Sequence, residues 1–155
     1  GGAGEFGHMT IDPSGPLCRC GNRGCLELTA SFVEPLRHAS KLFGRALTMD
    51  DVIAFARGGD TGCRKLIEET AETAGRGLAM IGTIINPGLI VVGGRMALAG
   101  DMLLAPLRAA FEKHTLIKSG DVPPGSGTRI VPGRFTENDG CLGAVGLVLR
   151  HHGRL

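Results

Sequence analysis

The 155-residue sequence has no tryptophan, no tyrosine and only six phenylalanines. Its core must therefore be aliphatic, and no basic stretch is interleaved with aromatics, the pattern that marks many nucleic-acid surfaces. Charge of one sign is missing as well. Seventeen Lys and Arg face fifteen Asp and Glu, a formal net charge of +2, too small to argue that this segment itself grips DNA or RNA. No apolar run approaches the roughly 18 residues that mark a transmembrane helix, and no signal-peptide pattern is visible. Internal repeats and low-complexity tracts are absent. These absences leave a chain that is read as cytoplasmic and reduced, with no membrane partner. A length of this order suggests one domain or one large piece of a larger protein.

What the sequence does have is glycine, 26 residues without a collagen-like period, and an alternation of helical and extended patterns. Residues 7–12 read as a short strand and residues 13–24 as a loop punctuated by Pro13, Gly15, Pro16, Gly21 and Gly24. A helical pattern runs from about Cys25 to Phe43, with Pro35 as a point where it divides. "TMDDVIAFARGG" carries a helix with Thr48 as N-cap, Asp50 and Asp51 in the first turn and Gly58 at the stop. From about Thr61 to Ile85 the apolar positions Ile67, Ala71, Ala74, Leu78, Ile81 and Ile85 step by four and three, one buried helical face. Asn86-Pro87-Gly88 ends it. "LIVVGG" (89–94) reads as a buried parallel strand closed by a glycine turn, followed by a helix over about Gly100–His114, a loop over 119–127, a strand over 129–135 and a closing helix over 138–151. Such alternation predicts an α/β layered architecture.

Five cysteines is an odd number, and Cys18, Cys20 and Cys25 fall within eight positions. That spacing suits a metal better than disulfides. Zinc takes four tetrahedral ligands from thiolate and imidazole. Cys18-x-Cys20-x4-Cys25 offers three thiolates from one glycine-rich loop, and His8 is the candidate fourth. Four protein ligands make a closed, structural site. The competing reading is three free thiols in a flexible loop. Cys63 and Cys141 fall in helical segments and read as core or surface thiols. His38, His114, His151 and His152 have no metal spacing. Arg19 and Arg23 read as solvated loop charges or, less simply, as contacts to an acidic ligand or partner.

These residues carry a resemblance. "GEFGH" followed by "CRCGNRGCLE" resembles the E-x-G-H and C-x-C-G-x-x-G-C-x-E motifs of the ROK family (repressors, open reading frames, sugar kinases), and the separation of the two motifs is similar. Later segments, "GLAMIGTIINPGLIVVGG" and "GAVGLVL", sit where family members have their second-half helix, strand, glycine turn and final helix. The resemblance implies an actin-like (ribonuclease H-like) sugar-kinase fold, of which residues 1–155 would be the second-half, C-terminal sugar-binding domain with its zinc-binding loop, the first half and any helix-turn-helix lying outside this sequence. It implies zinc on His8, Cys18, Cys20 and Cys25, and sugar hydroxyls on Glu5, His8 and Glu27. Apart from the motif, Glu27 would read as a helix-start carboxylate favoured by the dipole.

Two functions exist in the family. A kinase needs a D-x-G-x-T phosphate loop and an aspartate base, and phosphoryl transfer depends on both positioning and charge stabilisation; this sequence contains no D-x-G-x-T, and its aspartates from Asp12 to Asp139 all follow the E-x-G-H motif. Gly93-Gly94 is a weak nucleotide-binding signal, with a plain strand-to-helix turn as its alternative, and Arg95-Met96 follows where kinases commonly have a third glycine. The resemblance therefore points first to the effector domain of a sugar-responsive repressor, a homo-oligomer that meets DNA through a separate N-terminal domain. Its alternative is the second half of an ATP- and Mg-dependent sugar kinase.

Overall fold

The structure is a computed structural model that describes residues 2–135 and 138–154. A single turn of 3-10 helix at Phe6–His8 leads into a loop, then come six α-helices: α1 (Leu26–Ala30), α2 (Val33–Leu42), α3 (Met49–Arg57), α4 (Thr61–Ile85), α5 (Asp101–His114) and α6 (Asp139–His151). Two strands, β1 (Leu89–Val92) and β2 (Arg129–Pro132), pair in parallel, with Leu89 opposite Arg129 and Val92 opposite Pro132. The connection between them runs through α5. This is the α/β arrangement that the alternation predicts.

Local chemistry accounts for the boundaries. Thr48 caps α3 reciprocally: its hydroxyl accepts from the Asp51 backbone N–H at 3.2 Å, and its own N–H donates to the Asp51 carboxylate at 2.7 Å. The Thr48 hydroxyl and backbone bonds hold the Asp51 carboxyl below its ordinary range. Asp60 caps α4 through the Cys63 N–H at 2.7 Å, and Asn86 ends α4 in the left-handed region, φ 47°. The break expected at Pro35 falls instead at Ser31–Phe32, and Pro35 sits in the first turn of α2, where a missing N–H costs nothing.

The core lies where α3, α4 and α5 meet, with Val52, Ile67, Ala71, Leu103 and Leu107 almost wholly buried. On α4 the predicted apolar face is buried at Ile67 and Ala71, half-buried at Ala74, Leu78 and Ile81, and open at Ile85. Glycines let two neighbours approach the helix closely. A Cβ on Gly75 would overlap the Leu107 carbonyl oxygen of α5 and come within 2.8 Å of the Ala110 Cβ. On another side, a Cβ on Gly77 would reach 2.9 Å from Cδ1 of Leu26, which is 2% exposed. Leu26 thus plugs α1 onto α4 and fixes the helix that presents Glu27.

Three expectations are corrected. Residues 7–12 form no strand: the backbone turns at Phe6–His8, and pairing survives only as an isolated antiparallel bridge, Thr10 to Cys25. The second strand stops at Pro132 rather than at 135. β1 is not a buried strand among the described residues, since Leu89 and Val91 are about half exposed, as are Leu142, Val145 and Val148 of α6. An unbroken apolar run says that a strand can be covered on both faces. It does not say what covers it.

Candidate metal centre

The loop from Met9 to Cys25 is folded on itself by backbone hydrogen bonds. Gly24 donates to the Pro16 carbonyl at 2.9 Å, Ile11 donates to the Gly24 carbonyl at 2.9 Å, and Leu26 donates to Met9 at 2.9 Å. A second small hairpin closes inside it: the Cys18 N–H donates to Asn22 at 2.7 Å, Gly21 donates back to Cys18 at 3.0 Å, and Leu17 bridges Arg23. Gly24 is the pivot. Its φ is +60°, and a Cβ there would overlap the Asp12 carbonyl oxygen.

This folding gathers the four predicted donors. The ligating atoms of His8, Cys18, Cys20 and Cys25 all lie within 4.8 Å of one another. Cys18 Sγ is 3.6 Å from His8 Nδ1, and Cys20 Sγ is 3.6 Å from Cys25 Sγ. A tetrahedral ion with metal–sulfur bonds of about 2.3 Å and metal–nitrogen bonds of about 2.0 Å sets three sulfurs and one nitrogen roughly 3.5–3.8 Å apart. The residues therefore fit a metal ion, and their number leaves no open coordination position. Cys18 and Cys25 are buried, while Cys20 is exposed.

The thiols differ electrostatically. Burial, and then its sulfur neighbours, push the Cys25 thiol up to about 12. The Asn22 backbone hydrogen bond holds Cys20 below its ordinary range. A cation reverses the penalty on Cys25, because metal ligation requires the thiolate. The sign follows: below the thiol pKa values each bound ion must displace protons, so metal affinity rises with pH. We expect affinity to climb by about one decade per pH unit for each proton displaced. A competition titration with a chromophoric chelator between pH 6 and 8 checks this, and a pH-independent affinity would exclude thiolate ligation.

His8 presents its two nitrogens in opposite directions. With Nδ1 facing Cys18, Nε2 lies 3.6 Å from Oε2 of Glu27. Glu27, in the first turn of α1, is clasped from the other side by Arg19, with Nε 3.2 Å from Oε1 and an Nη 3.4 Å from Oε2. The sequence leaves Arg19 as a solvated loop charge or a contact to an acidic group; it is 78% exposed and does pair with an acidic residue of its own chain. The only signal was its place between two ligand cysteines, which folds residue 19 back toward residue 27. Among the described residues Glu5 has no side-chain hydrogen bond or ion pair to this group: it caps the Phe6–His8 turn without a side-chain bond. Gly93 and Gly94 sit on a different element, just beyond β1. There the Gly133 turn after β2 lies against them, a Gly133 Cβ reaching 3.3 Å from the Gly93 Cα. Cys63 is buried and Cys141 exposed; the other four histidines are exposed. A cleft of about 640 Å³ between α2 and α4 contains none of the four donors. Among the described residues no helix is long and apolar enough to cross a membrane.

A family model described as the ROK family matches residues 1–151. Glucokinase of Thermotoga maritima is 31% identical over 93% of this chain and 48% of its own length. Xylose repressor of Bacillus subtilis is 30% identical over 97% of this chain and 38% of its own length. Among solved structures, a ROK family glucokinase from Streptomyces griseus in complex with glucose and AMPPNP matches with a TM-score of 0.80 and 28% identity, over 94% of this chain and 51% of that one. This likeness carries the actin-like ATPase fold. The chain spans about half, or less, of the length of the relatives it matches.

Proposed function

This chain belongs to the ROK family, and from that premise we propose that it is the C-terminal sugar-binding half of a sugar-responsive transcriptional repressor, with a structural zinc ion on His8, Cys18, Cys20 and Cys25. One observation carries the reading: a single imidazole spans from the thiol cluster to the Glu27 carboxylate. When bound, the ion supplies a fixed charge that locks the ring and its tautomer. Nδ1 then serves the metal and Nε2–H is left as a donor. Glu27 accepts strong charge-assisted hydrogen bonds from sugar hydroxyls, and Glu5, which the resemblance also assigns to the sugar, supplies a second carboxylate. Loop, ring and carboxylate form one unit on α1, and Leu26 anchors that unit to α4.

The sensor reading is favoured by Arg95. It follows Gly93-Gly94 directly and pairs with Asp50 of α3, so a large charged side chain stands beside the turn where a nucleotide would approach. A second reading, half of a sugar kinase, is favoured by the adjacent glycine turns at the C-terminal ends of two parallel strands, where ligands of such sheets bind. It requires a D-x-G-x-T loop and a catalytic aspartate elsewhere in the protein.

The test uses the full-length protein with glucose, xylose and N-acetylmannosamine. Expected are about one zinc per chain, sugar binding by calorimetry, loss of that binding on chelation, and no ADP release with ATP and magnesium. ADP release with one of these sugars selects the kinase reading. A purified, reduced protein without zinc that still binds sugar rejects the metal's role.

A further inference from the structure

The clasp between Arg19 and Glu27 lies outside the motif positions that the resemblance assigns to metal or sugar. Arg19 occupies the variable position of Cys18-x-Cys20, so both of its chain neighbours are candidate metal ligands. The inner hairpin, closed by Cys18 N–H to Asn22 and Gly21 N–H to Cys18, pins its backbone. From there the side chain reaches eight residues on and meets both oxygens of Glu27: an Nη donates to Oε2 at 3.4 Å, and Nε stands as an ion-pair contact 3.2 Å from Oε1. Its side chain is 78% exposed, against 30% for Glu27. An ion pair so wet contributes little to folding. What it does contribute is geometry, because a forked guanidinium holds a carboxylate in one plane.

We propose that Arg19 is a positioning residue of the sugar site, a second arm from the metal loop that sets the Glu27 carboxylate in the orientation that receives sugar hydroxyls. His8 is the first arm, its Nε2 3.6 Å from Oε2; Arg19 reaches both oxygens. A carboxylate offers about four lone-pair sites. Arg19 takes one on Oε2 and lies as a charge against Oε1, which leaves room for sugar donors without displacing the clasp. A free glutamate must give up rotamer freedom when a ligand binds, whereas a clasped one has already done so. With His8 just before the loop and Arg19 within it, the carboxylate's position depends on the same fold that gathers the metal donors. The inference rests on the reading of Glu27 as a sugar contact.

The experiment is a double-mutant cycle in the full-length, zinc-loaded protein, with affinities for glucose, xylose and N-acetylmannosamine read by calorimetry. Arg19→Ala is expected to weaken the sugar that binds by about 3- to 10-fold, with zinc content and melting temperature unchanged. Arg19→Lys, which keeps the charge but not the fork, recovers only part of the loss. In a Glu27→Gln background, Arg19→Ala has little further effect, a result that a merely structural role would not produce. Wild-type affinity in Arg19→Ala, or tighter binding, overturns the proposal and makes Arg19 a bystander or a competitor. Binding that Glu27→Gln weakens and Arg19→Ala leaves alone rejects Arg19 and keeps the Glu27 reading. A zinc-loaded wild type that binds none of the three sugars rejects both.

Discussion

Replacing Gly24 with alanine is expected to empty the metal site while leaving most of the helical structure standing. The added Cβ overlaps the Asp12 carbonyl oxygen and lies 3.1 Å from the Asp12 Cα. It must also adopt a φ of +60°, which costs roughly 1–2 kcal/mol for a residue with a Cβ. Overlap against backbone cannot be relieved by turning a side chain, so the cost of overpacking, about 1–3 kcal/mol, adds to the strain. The segment that must yield holds Gly24 to Pro16 and Ile11 to Gly24. Opening it carries Cys25 away from Cys20. Zinc content should fall from about one per chain to near zero and sugar binding should go with it, while far-UV circular dichroism changes little, because α3, α4 and α5 bury their shared core elsewhere. A Gly24→Ala protein that retains a full complement of zinc would show that the loop can relax around the ion.

Gly75→Ala should do the opposite and strike the core first. A Cβ at residue 75 meets the Leu107 carbonyl oxygen, the Ala110 Cβ at 2.8 Å and the Phe111 nitrogen at 3.1 Å. Helix propensity alone argues for alanine, by about 1 kcal/mol. Overpacking against a neighbouring helix costs about 1–3 kcal/mol and at times more. The clash wins because two of the three atoms it meets belong to backbone, so α5 must move bodily. A net loss of about 1–3 kcal/mol corresponds to a fall in melting temperature of roughly 3–10 °C for a chain of this size. Thermal melts followed at 222 nm measure it. Ala110→Gly in the same chain should restore part of the loss, since it removes the side-chain contact but not the carbonyl. An unchanged or raised melting temperature would mean that α5 has freedom to withdraw.

Much of the site was legible in the chain because its chemistry is written in local spacing. Three cysteines within eight residues close into a cluster through a loop that glycine permits, and a histidine ten residues before Cys18 reaches it. The same holds for α3, whose cap pairs residues 48 and 51, and for α4, whose register was read correctly along its buried half. What could not be read depends on partners distant in sequence. Nothing in the local pattern tells that Gly75 faces α5 while Gly77 faces Leu26, or that β1 is left half open. The supposed strand at 7–12 illustrates the same limit. Thr10 and Ile11 favour extension, but a strand needs a partner along its length, and here the partner turns away after one bridge. Arg19 is exposed as read, but its pairing with Glu27 could not be read for a different reason: the partner is brought round by the fold of the loop.

Four glycines, at positions 62, 75, 77 and 82, lie within the 25 residues of α4. Each costs an isolated helix about 1 kcal/mol relative to alanine. The longest helix of the fold is therefore poorly suited to form early and wait for its neighbours. It gains its stability when α5 closes against Gly75 and Leu26 enters beside Gly77, contacts that span more than thirty residues of chain in one direction and about fifty in the other. Assembly is thus expected to be concerted, with the central helix, the helix after the first strand and the anchor of the cysteine loop coming to order together. The loop that gathers the thiols would then reach its final shape only as the core does, and would capture its ion late.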